Sequence, residues 1–175
     1  MNFSKWLVDD MPKKADYSCS SSAILSLAQK SRDEFGMEGI RGYNVGWKIR
    51  EILKKRYGFH FRTGEGSPSL LIYDRDDVDV ILLPYTSNLR DNFSIMHEFG
   101  HYLMHCDFDS DGREPISFCR YRDDLRDIQS NYFAYSFLVQ EKELEDIMKE
   151  YDNHIYSVAG HFDVHVDVIK QKGIL

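Results

Sequence analysis

Apolar and polar positions along the chain change period twice. Ala23, Ile24, Leu27, Ala28 and Phe35 recur at helical spacing after the polar run 18–22. Gly36 and Gly39 interrupt that pattern, which predicts one helix ending there. Val45, Ile49, Ile52 and Leu53 then mark one face of a second helix over 45–57, with Gly58 as its stop. From Phe59 the apolar runs shorten and alternate with turn residues. Two of them, 70–73 and 78–83, read as strands joined by the acidic turn 74–77, a hairpin. Helical spacing returns over 91–105, 123–139 and 141–151, and in a short pair within 155–172. A small antiparallel or mixed sheet followed by helices is an α+β arrangement, with helix 91–105 at its centre.

A chain of 175 residues can bury one core and is short for two. Three stretches are expected within it: 1–40, an N-terminal arm and helix leading into the core; 41–152, the core; and 153–175, a short segment with a helix-turn-helix look suited to docking a partner. Hydrophobic residues make up 42% and aromatic residues 14%, which excludes a largely disordered chain. The formal charge of -7 repels phosphate backbones, and the basic residues at 48–56 and 113–126 are interleaved with Glu and Asp. Direct nucleic-acid binding is therefore disfavoured. The first ten residues lack the pattern of a secretory signal, and no apolar run is long enough to span a bilayer, so a cytosolic protein with no membrane partner is expected. The three cysteines, Cys19, Cys106 and Cys119, then read as reduced thiols. They share no paired ligand spacing and are weak metal ligands on that ground.

The chemistry lies in the run His97-Glu98-Phe99-Gly100-His101. Two histidines four apart on a helix project side by side and can present two imidazole nitrogens to one ion. Glu98 follows the first of them, where a carboxylate can take a proton from metal-bound water and return it to a leaving amine. An accidental match remains the plain alternative. The surrounding helical apolar period, the preceding hairpin and the small Gly100 argue for a zinc site. Such a site needs a third protein ligand and an open fourth position. His105 lies a further turn along the same helix, too far for three ligands on two straight turns to converge, and suits a role behind the ligands. The next predicted helix offers Asp123, Asp124, Asp127 and Gln129. Asp127 and Asn131 are four apart, so one could reach the ion while the other orients a bound histidine.

The lead-in Arg90-Asp91-Asn92-Phe93-Ser94-Ile95-Met96 before the histidines, and His105 after them, resemble the ImmA/IrrE family of metallopeptidases. The stretch Asp127-Ile128-Gln129-Ser130-Asn131-Tyr132-Phe133-Ala134 resembles that family's second signature, Glu-x-x-Ala-Asn-x-Phe-Ala. The likeness covers about 45–175. It implies a zincin-like fold, a zinc ion held by His97, His101 and Asp127, and Glu98 as catalytic base. It also implies a protein substrate, typically a helix-turn-helix repressor or similar regulator encoded nearby, cut at a defined site. Asp127 stands where the family has Glu, Ser130 where it has Ala and Gln140 where it has Pro. Those departures favour the rival expectation, a binding module of the same shape that docks to a regulator without cutting it. A third, DNA binding by the C-terminal helices, is disfavoured by the acidic balance.

Other signals are weaker. Residues 107–112 begin like a calcium loop, but Phe118 stands where the bidentate Glu should be. His161 and His165 repeat the four-residue spacing without a neighbouring acidic base and read as surface or cap residues. Tyr43, Tyr121, Tyr132 and Tyr135 are all candidates to stabilise an oxyanion, and the sequence does not choose among them.

Overall fold

The computed structural model describes residues 20–65, 69–106, 116–119 and 125–172. The arm 1–19, the calcium-like loop, Asp123, Asp124, Tyr121 and the side chains of Cys19 and Cys119 lie outside the described residues. Helix α1 (Ser21–Phe35) starts where the Ser20 hydroxyl accepts the Ala23 amide at 3.3 Å, and ends at Gly36 with φ 62°. Helix α2 (Asn44–Tyr57) buries Val45, Ile49, Ile52, Leu53 and Tyr57 and stops at Gly58, φ 63°. A Cβ at Gly58 would collide with the Asp76 carbonyl, so the following hairpin turn can pack on this helix end only because the residue is glycine.

Strands β1 (Phe59–Thr63), β2 (Ser69–Asp74), β3 (Asp77–Leu82) and β4 (Ile116–Cys119) form one mixed sheet in the order β1-β3-β2-β4. β1 runs parallel to β3, while β2 is antiparallel to both β3 and β4. Register aligns the apolar positions into rows: Val78 lies between Phe59 and Ile72, and Val80 between Phe61 and Leu70. The predicted hairpin is present. The two outer strands are additional to the sequence reading, because each is only four or five residues long and is completed by a partner distant in the chain.

Helix α3 (Asn88–Met104) opens at Ser87, whose hydroxyl accepts the Arg90 amide, and every residue from Asn92 to Leu103 is buried. A helix buried on every face, its polar residues included, must be covered on every side. The sheet and α2 cover one side, where the Phe99 ring meets Tyr57 at 5.0 Å, Phe35 at 5.6 Å and Phe59 at 5.9 Å. Helix α4 (Leu125–Leu138) covers the other. Phe93 meets Tyr135, His97 meets Asn131 and His101 meets Asp127, so the two helices run antiparallel. They approach closely at Gly100, where an added Cβ would lie 3.2 Å from both Ser130 Cα and Phe133 Cδ1.

Helices α5 (Glu141–Glu150), α6 (Ile155–Phe162) and α7 (Val166–Lys172) complete the chain, and one core runs from Ile24 in α1 to Ile169 in α7. The turn between α6 and α7 is fastened to α3. Asn92 Nδ2 donates to the Asp163 carbonyl at 2.7 Å and to its carboxylate at 2.8 Å, and the Gly46 amide donates to the same carboxylate at 3.1 Å. Arg50 donates to Asn92 Oδ1 at 2.6 Å; burial, the largest influence, lowers the pKa of its guanidinium. Asp163 itself is left-handed, φ 54°. His161, expected at the surface, is buried, with Nε2 3.3 Å from Glu143 Oε1, because α6 turns that face toward α5.

Two substitutions test this framework. Gly100→Ala should cost about 1–3 kcal/mol by overpacking against the Ser130 backbone, read by thermal or urea denaturation. Asp163→Ala removes acceptors for two buried donors and should cost about 1–3 kcal/mol, whereas Asp163→Asn, which keeps one acceptor and tolerates the left-handed backbone, should cost less.

Candidate metal centre

The ladder between α3 and α4 brings His97, His101 and Asp127 together. Each offers one ligand atom, and these atoms lie within 4.8 Å of one another. His97 Nε2 stands 3.1 Å from His101 Nε2, and Asp127 Oδ1 lies 3.1 Å from His101 Nε2 and 3.8 Å from His97 Nε2. His97 is fully buried and His101 nearly so, whereas the Asp127 side chain keeps 13% exposure. Asp127 also occupies the first turn of α4, where the helix dipole favours a carboxylate.

The outer nitrogens of the two rings fix what the inner ones present. His97 Nδ1 lies 2.9 Å from Asn131 Oδ1, so an Nδ1–H donated to that amide oxygen leaves the Nε2 lone pair turned inward. His101 Nδ1 lies 3.1 Å from His105 Nδ1, and His105 Nε2 lies 3.0 Å from Gln129 Oε1. With Gln129 accepting from His105 Nε2–H, His105 Nδ1 accepts from His101, and the second Nε2 lone pair also faces inward. Two imidazole nitrogens and a carboxylate oxygen thus face one another within 3.1–3.8 Å. The donor set therefore fits a divalent metal ion.

With Ser130 against Gly100, the α4 backbone comes near enough for the Asp127 side chain to reach His101, where the motif it resembles has the longer Glu. Ser130 is fully buried, and its hydroxyl lies 3.5 Å from His105 Nδ1. Gln140, in place of the family's proline, stands at the N-cap of α5 and donates to Gln29.

Glu98 is buried at 1% exposure, adjacent to His97 on α3. Cys106 lies beyond the helix end and donates its thiol to the His101 carbonyl at 3.4 Å. Burial, and secondly the nearby Glu98, push its pKa up, so it remains a neutral thiol. It is not among the converging donors. His105 likewise stands behind His101 and outside the converging set, and Gln129 supports His105.

A cleft of about 450 Å³ opens beside this cluster, and His97, Asp127 and Asn131 line part of it. Of the tyrosines considered for an oxyanion role, Tyr135 lines the cleft, whereas Tyr43 stands 81% exposed at the N-cap of α2 and Tyr132 packs against the core. The opposite wall comes from α7, through Asp167 and Val168, with His165 just before it. Nothing in the sequence linked these residues to the site, because the link depends on how the α6–α7 turn is fastened to Asn92. Arg90, part of the motif lead-in, also stands on this rim.

Among the described residues no helix is long and apolar enough to cross a membrane. No curated protein sequence matches the chain. A solved structure described as a Mycobacterium tuberculosis transcriptional regulator superposes with a TM-score of 0.60 at 16% identity, covering 98% of this chain and 51% of that one. At that identity the likeness speaks for the fold, and the chain spans about half the length of that neighbour. Residues 53–172 match the Peptidase_M78 family, described as the IrrE N-terminal-like domain, a span that contains β2, β3 and β4, the α3–α4 ladder and the converging histidines. The chain thus belongs to the IrrE N-terminal-like family of metallopeptidases.

Proposed function

We propose that this chain is a zinc-dependent metalloendopeptidase that hydrolyses a peptide bond in a protein substrate. The observation that carries this reading is the inward convergence of His97, His101 and Asp127 beside the buried Glu98. Zinc, when bound, supplies Lewis acidity and brings the pKa of its water to about 7. The protein's own residues do the rest. His97 and His101 are held in one tautomer by Asn131 and His105. Glu98 accepts a proton from the attacking water and delivers it to the leaving amine. The neutral Cys106 thiol places no second anion beside that carboxylate.

The substrate we propose is a helix-turn-helix repressor or related regulator encoded near this chain in a cytosolic setting. Family membership supports the peptidase, and the regulator named for the structural neighbour is in keeping with a role in gene control. The distances at Asp127 favour a metal-holding enzyme over a docking module that has lost its site.

The purified protein should carry about one zinc per chain by elemental analysis, and His97→Ala and Asp127→Ala should lose it. Asn131→Ala and His105→Ala should retain zinc about 10- to 100-fold more weakly by competition with a chromophoric chelator. Glu98→Gln should keep zinc but lose hydrolysis of a co-purified candidate regulator by about 10²-fold or more. Equal cleavage by wild type and Glu98→Gln would sink the assignment of the base.

A further inference from the structure

The cleft beside the candidate metal centre has a built polarity. Its most buried apolar lining is Phe93 and Tyr135, whose rings lie 4.7 Å apart, with Val168 from α7, each with less than a tenth of its surface exposed; Thr86, Ser94, Asn131 and Gln171 also line it. Its rim is charged but internally paired. Arg90 Nη2 lies 3.4 Å from Asp167 Oδ2 and 3.3 Å from His165 Nε2, and His165 Nδ1 lies 3.0 Å from the same carboxylate. Arg90, His165 and Asp167 thus pair with one another at the mouth, while His97 and Asp127 belong to the candidate metal centre. Ile128 also lines the cleft, and it and Leu125, one turn before it, stand 60% and 50% exposed.

Resting on the peptidase reading, we infer that this cleft is a side-chain subsite for an aliphatic or aromatic residue flanking the scissile bond of an extended protein segment, with Val168 of the C-terminal helix as its specificity-determining wall. A charged substrate side chain packed against Phe93, Tyr135 and Val168 would give up water to largely apolar surfaces, a cost an apolar one does not bear. The volume suits one large side chain with its adjoining backbone. The occupant is a substrate polypeptide because the subsite is continuous with His97 and Asp127, so whatever fills it lies against the reacting centre. The exposed Leu125 and Ile128 strip is where the same segment would continue.

The test uses fluorescent dodecapeptides of one fixed sequence, varied at each position among Leu, Phe, Ala, Asp and Lys. Hydrolysis is measured with the zinc-loaded wild-type chain, and binding to zinc-loaded Glu98→Gln by anisotropy. One position next to the cut should favour Leu or Phe over Asp or Lys by at least about 10-fold in kcat/KM, with the same order in binding. Val168→Ala should shift that position toward Phe, and Val168→Phe toward Ala, other positions being unchanged; both variants stay apolar, and their melting curves show that they fold. Hydrolysis with no apolar preference, or a preference identical in both Val168 variants, overturns the subsite and leaves the peptidase standing. Apolar-selective binding without hydrolysis would keep the subsite and remove the peptidase. Neither binding nor hydrolysis removes both.

Discussion

Everything in this molecule that bears on chemistry depends on how closely two antiparallel helices approach one another. At Gly100 the absence of a side chain lets Ser130 come into van der Waals contact with α3, and from that contact the ladder runs in both directions. One turn toward the start of α4, Asp127 meets His101; on the other side of the contact, Asn131 meets His97 and Tyr135 meets Phe93. A wider helix pair would leave the short aspartate side chain away from the imidazoles, and the interhelical distance beside it is set by the smallest possible residue.

The buried polar groups around the histidines are costly to hold in a core, and the structure meets that cost with acceptors rather than with counter-charges. Asn131 and Gln129 are uncharged amides, and His105 stands between Gln129 and His101. The carboxylate of Asp127 lies 3.1 Å from His101 Nε2, an acidic group placed where a cation would be held. The aromatic packing of Phe99 against Tyr57, Phe35 and Phe59 holds α3 rigidly on its other face, so the imidazoles are positioned from behind as well as from the front.

What the sequence makes legible here is what is local. His97, Glu98 and His101 lie within five residues of one helix, and their relative placement follows from helical pitch alone. The hairpin at 70–83 and the helix stops at Gly36 and Gly58 carry their own turn chemistry and were legible for the same reason. The candidate third donor was harder, since Asp127, read alone, resembles any charge in the first turn of a helix, and only its spacing from Asn131 and the family likeness singled it out. Strands β1 and β4 escaped notice because Phe59–Thr63 and Ile116–Cys119 gain their partners from β3 and β2, far along the chain. The buried state of His161 was hidden likewise, because α5 supplies Glu143 only in three dimensions.

The C-terminal helices show most clearly how a sequence-level resemblance to one function can conceal another placement. Two short helices around a tight turn look like a module for gripping DNA, yet here the turn residue Asp163 is held by Asn92 from the middle of the motif run and by the amide of Gly46. A helix pair fastened in this way has α7 committed along the cleft, where Asp167 pairs with Arg90 and Val168 faces inward. A recognition helix must instead present an unpaired basic face to a phosphate backbone. In α7 the carboxylate of Asp167 occupies the side that meets Arg90, and Lys170 lies 3.9 Å from the same group. The fastening at Asn92 therefore gives the last helix a part in shaping the cleft, and one buried amide joins the fold of the C-terminus to the geometry of the metal helix.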